Sequence, residues 1–279
     1  MSGGDEQAVG RPEEVSSDEQ AEASGAYLGR TLKRVVRDGR SDLVAVEEPL
    51  EIRVDGEALA VTMRTPGHDE ELALGFLFGE GLLDGPRAAG PPDDLAGNAI
   101  DVEGPLTRRP AERRFYTTSS CGVCGKGALE EVAVQAPPAP AGPRVARELL
   151  ASLPERLSQP AFARSGGLHA TGLFDAAGEL LIAREDVGRH NAMDKVVGRA
   201  LLDGLVPFAD MLLCVSGRLS FELVQKAAVA GAPVLVGVGA PTSLAVELAA
   251  AQGMTLGGFA RGGSLNLYTG AERLYPSGS

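Results

Sequence analysis

From residue 144 onward, short apolar runs alternate with segments of helical periodicity, and this alternation restricts the possible folds more than any other feature of the chain. Apolar residues on one helical face predict helices, and short apolar runs between turn residues predict buried strands. The predicted helices are Val145–Leu157, Asn191–Leu202, Ser220–Ala230 and Ser243–Gln252, and the predicted strands are Leu180–Ala183, Met211–Val215, Val234–Val238 and Leu265–Tyr268. The pattern predicts an α/β fold with helices on both faces of a sheet, in which ligands bind beyond the strand ends.

The first half of the chain predicts a smaller unit. Leu43–Val46 and Leu50–Val54 are typical of short strands, and a helix is expected to begin near Asp69. The proline-rich stretch Ala136–Pro143 is typical of a linker. We therefore expect four segments: a disordered acidic tail over residues 1–25, an N-terminal subdomain over 26–135, the linker over 136–143, and an α/β subdomain over 144–279.

The charge of the chain argues against two classes of partner. The 279 residues carry a formal net charge of −12, and residues 1–25 alone hold seven acids and one base. This acidity disfavours nucleic acid and membrane surfaces as partners. The uncharged run Ala227–Val246 is broken by prolines and glycines, unlike a membrane span. Because there are three cysteines and no secretory signal, we expect a cytoplasmic protein.

The reactive chemistry is expected at Cys121 and Cys124, in the run S-S-C-G-V-C-G-K (Ser119–Lys126). A structural zinc site needs two further ligands, and none has suitable spacing, so no metal site is expected. The third cysteine, Cys214, lies in an apolar run that predicts a buried strand. Two interpretations remain: a dithiol that cycles through a disulfide, or a sulfur carrier in which flanking glycines give mobility and Lys126 favours the thiolate. The spacing alone does not choose between them.

Three loops are expected at strand exits: Ser216–Arg218, Gly239–Ser243 and Phe259–Ser264. Arginine side chains, hydroxyls and free N–H groups at a helix start suit a phosphate or a nucleotide. This makes Arg218, Thr242 and Ser243 candidate binding residues. The alternative is that these are ordinary turns in which Ser or Thr caps a helix.

A polar run, Glu185–Lys195, directly follows a predicted strand. One interpretation is that its acids are partners of the helix dipole at a solvated helix start, and this explains them as well as a functional role does. His190 and Asn191 also suit polar ligand groups or proton transfer, and His169, which follows two glycines closely, is a further candidate for such a site. His68 is interpreted only as a helix-start residue.

Several segments carry a resemblance when they are read together. Besides the cysteine motif and E-D-V-G-R-H-N-A-M-D-K (Glu185–Lys195), they are E-E-P-L-E-I (Glu47–Ile52), M-R-T-P-G (Met63–Gly67), E-L-A-L-G-F-L-F-G-E-G (Glu71–Gly81), G-G-L-H-A (Gly166–Ala170), S-G-R-L-S-F-E-L-V-Q-K-A-A (Ser216–Ala228), A-P-T-S-L-A-V-E-L-A (Ala240–Ala249) and G-F-A-R (Gly258–Arg261). In this order, over about residues 28–270, they resemble the formate dehydrogenase accessory sulfurtransferase family (FdhD type).

The resemblance implies a cytosolic sulfur carrier that takes sulfur from a cysteine desulfurase and delivers it to molybdenum bis(molybdopterin guanine dinucleotide), a bound substrate, before its insertion into formate dehydrogenase. The persulfide would form on Cys121, with Cys124 protecting it or displacing sulfide. The family's cofactor-binding stretch falls on Phe259, Ala260, Arg261, Gly262, Gly263 and Ser264.

The resemblance also implies a fold similar to that of cytidine deaminases, an α/β/α sandwich, usually as a homodimer, here with a smaller N-terminal subdomain that carries a flexible CxxC loop. The chain has no deaminase H-x-E zinc signature, so deamination is not expected. Two alternatives stay open: a cofactor-binding chaperone that moves no sulfur, and a dithiol oxidoreductase.

Overall fold

The computed structural model describes residues 29–94, 97–108, 115–116 (backbone only) and 136–275. Cys121 and Cys124, together with the predicted acidic tail over residues 1–25, lie outside these residues. Within the part of the chain that is described, no helix has the length and apolar character needed to cross a membrane.

The N-terminal unit consists of a ribbon, a sheet and one helix. Strands β1 and β2 form the antiparallel ribbon, and a five-stranded sheet has the order β5-β6-β3-β4-β7. The elements are β1 (Leu32–Arg37), β2 (Arg40–Ala45), β3 (Glu48–Val54), β4 (Glu57–Arg64), α1 (Asp69–Gly79), β5 (Ala89–Gly90), β6 (Ala99–Val102) and β7 (Phe115–Tyr116). Helix α1 covers this sheet with apolar residues such as Leu72 and Leu77, which pack against Ile52 of β3. The strand predicted at the end of β3 and the helix near Asp69 are thereby confirmed.

A six-stranded sheet organises the rest of the chain, with the order β13-β12-β11-β10-β8-β9. Strands β10, β11 and β12 are parallel, and the other pairs are antiparallel. The elements are α2 (Arg147–Arg156), α3 (Phe162–Ser165), β8 (His169–Phe174), β9 (Leu180–Asp186), α4 (Arg189–Leu202), β10 (Leu212–Val215), α5 (Phe221–Val229), β11 (Val234–Gly237), α6 (Ser243–Ala251), β12 (Thr255–Arg261), β13 (Ser264–Thr269) and a 3₁₀ turn (Ala271–Arg273).

Helices lie on both faces of this sheet. Leu213 and Val215 of β10 face the core shared with α4, α5 and α6. Their neighbour Cys214 faces the opposite core, shared with α2. This alternation follows from the period of two along a strand, and it explains why β10 is apolar throughout. The predicted mixed α/β class is confirmed, while the similarity to cytidine deaminases stays a prediction.

Two differences from the sequence prediction bear on the site. The stretch Phe259–Ser264 was expected to be a loop, but β12 continues to Arg261 and the chain turns through two glycines into β13. Strand β8 was not predicted at all, because alanine, glycine and threonine in its first half lack a clear apolar pattern. Gly172 is required there, since a Cβ would lie 2.6 Å from a Leu157 methyl group.

The proline-rich stretch 136–143 packs on the C-terminal unit. The buried guanidinium of Arg273 donates hydrogen bonds to the carbonyl oxygens of Pro140 and Ala141, each at 2.7 Å, and to that of Gly253 at 2.7 Å. Ala139 also donates its N–H to the carbonyl of Gln252. The proposed division of the chain into four segments stays a prediction.

The two units meet where α1 crosses α4. A Cβ on Gly75 would lie 1.8 Å from the carbonyl oxygen of Asp194, and a Cβ on Gly198 would lie 1.8 Å from that of Glu71. A glycine of each helix thus packs directly against the backbone of the other helix. Across the same interface, Arg184 binds Glu71 through two hydrogen bonds of 2.5 and 2.7 Å. The crossing therefore fixes the N-terminal unit against the helix that begins at the candidate site.

Candidate functional site

The candidate site lies at the carboxyl ends of β10 and β11, where two of the predicted loops meet. The N–H of Gly239 donates to the carbonyl of Gly217 at 2.9 Å, and the N–H of Leu219 donates to that of Ala240 at 3.0 Å. A Cβ on Gly239 would lie only 2.9 Å from the Cα of Arg218, so the contact needs glycine. The structure thus brings Arg218 beside the β11–α6 loop, as the strand-exit pattern predicts.

His169 and Arg189 line this edge with Gly217. A Cβ built on Gly217 would lie 3.3 Å from Nδ1 of His169 and 3.9 Å from Cβ of Arg189, so both side chains lie close to this glycine. The Nε atom of Arg189 is buried and has no hydrogen-bond partner among the residues that the structure describes. Burial, followed by the positive charges of Arg189, His190 and Arg218, lowers the pKa of His169, and the charge of Asp186 acts in the opposite direction. Several positive charges therefore lie at this edge of the sheet although the chain as a whole is acidic.

His190 joins the starts of α4 and α5. Its Nε2 atom lies 3.2 Å from Oγ of Ser220 and 3.2 Å from a carboxylate oxygen of Glu222. The hydrogen bond from His190 lowers the pKa of Glu222 to about 2. Because both partners share one ring nitrogen, the arrangement differs from a nucleophile–histidine–acid relay, which uses both nitrogens. We interpret His190 as a residue held in place at the rim of the site.

The acids of the Glu185–Lys195 run hold the fold. Asp186 is fully buried and pairs with the Nζ of Lys195 at 2.7 Å. It also accepts hydrogen bonds from the N–H groups of Thr65 and Gly188, at 3.1 and 2.8 Å. The carboxylate of Glu185 accepts the N–H groups at the start of α3. These contacts fix the first turn of α4, so that Arg189 and His190 remain as the groups directed to the site.

Asn191, which was proposed for polar ligand groups, is also buried in this network. Its Nδ2 donates to the carbonyl of Met63 at 2.8 Å and to Asp186 at 3.1 Å. His68, which was interpreted only as a helix-start residue, precedes α1 and lies 3.4 Å from the carboxylate of Glu71. Asn191 therefore connects the two units, whereas His68 contacts its own unit.

The predicted cofactor-binding stretch divides into two parts. Phe259 is 48% exposed, and its N–H donates to the carbonyl of Gly239 at 3.2 Å, which places it beside the site. Ala260 points into the core, so its side chain does not contact a ligand. Arg261 and the exposed turn residues Gly262, Gly263 and Ser264 form the hairpin tip, where the N–H of Gly262 donates to Glu155 of α2 at 3.2 Å.

Thr242 and Ser243 begin α6 at the same sheet edge. The Thr242 hydroxyl accepts a hydrogen bond from the N–H of Ala245 at 3.3 Å, so Thr242 caps the helix as the alternative interpretation predicted. Ser243 is exposed.

Cys214 is fully buried, and burial raises the pKa of its thiol. Among the described residues, no three or more His, Cys, Asp or Glu side chains are grouped as metal ligands.

Sequence reasoning missed Arg189 as a site residue and Thr65 as a partner of Asp186. The signal for Arg189 was its place at a helix start directly after a strand. No local signal pointed to Thr65, whose contact with Asp186 spans 121 residues.

Fold and site together define a mixed α/β protein with a group of positively charged side chains at the carboxyl edge of its parallel strands. The model of the FdhD/NarQ family matches residues 45–275, and the chain belongs to this family. It is 53% identical over 273 residues to the "Sulfur carrier protein FdhD" of Streptomyces coelicolor, with 88% of this chain and 97% of the relative covered. The family predicted from the motifs is confirmed.

Two further comparisons agree. The "Sulfur carrier protein FdhD" of Mycobacterium tuberculosis is 49% identical over 255 residues, covering 84% of this chain and 92% of the relative. A solved structure of a candidate formate dehydrogenase accessory protein from Desulfotalea psychrophila superimposes with a TM-score of 0.67 at 28% identity, covering 88% of this chain and 97% of that one.

Proposed function

We propose that the chain is a sulfur carrier that accepts persulfide sulfur from a cysteine desulfurase on Cys121 and transfers it to molybdenum bis(molybdopterin guanine dinucleotide), the substrate, for formate dehydrogenase. The family and the names of the relatives support the sulfur-carrier role. The burial of Cys214 also supports it, because a thiol with a raised pKa inside the core is a poor nucleophile. The acceptor thiol is then one of the remaining pair.

The burial of Cys214 carries the assignment, because it removes one of the three cysteines from the candidates for the acceptor thiol. The described strand β7 is parallel to β4, with Tyr116 opposite Val61, and it runs toward the end of β4 where Thr65 binds Asp186. Cys121 follows Tyr116 by five positions in the sequence.

The transfer balances with the two cysteines, the donor persulfide and a cellular thiol. The Cys121 thiolate attacks the outer sulfur of the donor persulfide, so that Cys121 carries S–SH and the donor leaves as a thiolate. The Cys124 thiolate then attacks the inner sulfur of Cys121. A Cys121–Cys124 disulfide forms, both thiols are oxidised, and the sulfane sulfur leaves as hydrosulfide. Hydrosulfide replaces an oxo ligand of the substrate, and this oxygen departs as water with the hydrosulfide proton and one proton from solvent. Two equivalents of a cellular thiol reduce the disulfide.

The side chains at the strand exits suit the guanine dinucleotide substrate. Arg218 supplies donors for phosphate, and the hydroxyls of Thr242 and Ser243 lie at the start of a nine-residue helix. His190 stays a predicted binding residue, whose Nε2 atom is shared by Ser220 and Glu222. The exposed ring of Phe259 offers a flat apolar surface for a base. Arg261 at the hairpin tip completes the predicted set.

Cysteine variants test the proposal. After incubation with desulfurase and cysteine, intact-mass measurement is expected to show one added sulfur that is lost on reduction, and Cys121→Ala is expected to abolish both this gain and formate dehydrogenase activity. Cys214→Ala is the matched control and keeps both. Full activity with Cys121→Ala and Cys124→Ala would instead indicate a chaperone. An equal need for both cysteines without any sulfur gain would indicate a dithiol oxidoreductase.

A further inference from the structure

We infer that the β1–β2 ribbon is the docking surface for the acidic N-terminal tail of the same chain, with the segment Glu13–Glu22 as its occupant. This contact goes beyond the proposed function and does not depend on it. It uses the outer face of the ribbon, which consists of Lys33, Val35 and Arg37 of β1 and Arg40, Asp42 and Val44 of β2.

The two faces of the ribbon differ in what they contact. Leu32 and Leu43 lie on the opposite face and pack into an apolar cluster with Leu168 of the C-terminal unit. Because side chains alternate along a strand, this contact places the outer face toward solvent. All three basic side chains of the outer face are exposed, and Val44 is 38% exposed. The ribbon is therefore anchored on one side and open on the other.

The outer face carries more positive charge than its own acid neutralises. Arg37 and Arg40 lie directly opposite each other at the end of the ribbon, and like charges in this position destabilise a strand pair. Asp42, the one acid of this face, pairs with Arg37 at 3.2 Å. Lys33 and Arg40 form no ion pair with any residue that the structure describes. Three bases and one acid leave this face suited to an anionic segment.

The tail has the complementary charge. Its segment Glu13–Glu22 holds five acids and no base in ten residues: Glu13, Glu14, Asp18, Glu19 and Glu22. The whole chain carries 38 acids against 26 bases, so a basic face is a distinctive surface on this protein. Charge complementarity therefore favours the ribbon as the place where this segment binds.

The tail and the ribbon are close enough in sequence for contact within one chain. Lys33 follows Glu22 by eleven residues, which extend over at most about 40 Å. The two strands of the ribbon have six residues each, or about 20 Å. The acidic segment can thus fold back along the whole ribbon. Tethering gives it an effective concentration of about 1 mM, so surface charge contacts that are weak one by one suffice together.

Zero-length cross-linking of the full chain with a carbodiimide tests the contact. The reagent joins a lysine amine to a touching carboxylate, and Lys33 alone is exposed among the described lysines, since Lys195 and Lys226 are buried. Mass spectrometry is expected to find the tryptic peptide Thr31–Arg34 linked to residues 1–30 of the same chain. The yield is expected to fall about fivefold or more between about 0.01 M and 1 M salt, because the Debye length shrinks from about 30 Å to 3 Å.

Arginine variants separate docking from chance collision of a tethered tail. Arg37→Gln with Arg40→Gln keeps the amine of Lys33 and is expected to lower the yield about threefold or more, the loss of two exposed charge contacts. Arg87→Gln with Arg199→Gln is the matched control, because it removes the same charge outside the ribbon, from side chains that already pair with acids. It is expected to change the yield less than about twofold.

Three results would overturn the inference. The first is the absence of the link, and the second is a yield that neither salt nor the ribbon variant changes, since tethering alone would explain it. The third concerns a mixture of isotope-labelled and unlabelled protein, in which links between labelled and unlabelled peptides would place the tail on a second copy. The melting temperature of each variant shows that it is folded.

Discussion

Gly75→Ala tests whether the crossing of α1 and α4 holds the two units together. A normal Cβ contact needs at least 3.0 Å, and the added methyl would lie 1.8 Å from the carbonyl oxygen of Asp194, so the helices must separate by about 1.2 Å. This separation also stretches the paired hydrogen bonds between Arg184 and Glu71. We expect the free energy of unfolding to fall by about 3 kcal/mol or more.

The sign of the effect makes the prediction decisive. Helix propensity alone would make Gly75→Ala more stable by about 1 kcal/mol, because alanine is the better helix former. Urea unfolding followed by circular dichroism measures the difference. Gly79→Ala on the same helix is the control. The nearest atom to its added methyl is the Nζ of Lys226 at 3.1 Å, which needs to shift by only a few tenths of an ångström, so a change within about 1 kcal/mol is expected. A Gly75→Ala protein as stable as the wild type would refute the reasoning.

Two further predictions concern buried charge. Lys195→Met is expected to lower the free energy of unfolding by about 3–5 kcal/mol, because Asp186 then stays buried without its cation; a loss under about 1 kcal/mol in urea unfolding would contradict the pairing. Burial alone would raise the pKa of Glu71, but the hydrogen bonds from Arg184 hold it at about 2 against an ordinary 4.5. The stability that ionised Glu71 contributes is complete above pH 4.5 and is lost as the pH falls toward 2. The free energy of unfolding measured between pH 5 and 3 should therefore decline less steeply in Glu71→Gln than in the wild type. Equal slopes would show that the pair does not contribute.

Local pattern was sufficient where neighbouring residues carry the signal. The start of helix α1 and the bounds of strand β10 were predicted close to their observed positions, since helical spacing and an unbroken apolar run are properties of neighbouring residues. The same pattern predicted that the loops of Arg218 and Thr242 lie at neighbouring strand exits, and the N–H of Thr242 does donate to the carbonyl of Leu219. Their role in binding stays a prediction.

Strand β12 was not predicted, and the role of its glycines depends on distant segments. A Cβ on Gly257 would lie 2.7 Å from Leu265, and one on Gly258 would lie 3.0 Å from Pro241. These glycines let the hairpin pack closely over the site, and nothing in the adjacent sequence shows this requirement.

The sequence by itself determined the family, the strand–helix alternation and the motif in which Cys121 lies, because each is written in residues close together along the chain. Tertiary structure alone decided which charges stay unpaired at the strand exits. Asp186 and Arg189 are three residues apart in one polar run, yet Asp186 is buried and paired with Thr65 and Lys195, while Arg189 keeps a donor that is unpaired among the described residues. The free energy of a charged group depends on the groups that surround it in space, and one of these, Thr65, lies 121 residues away from Asp186.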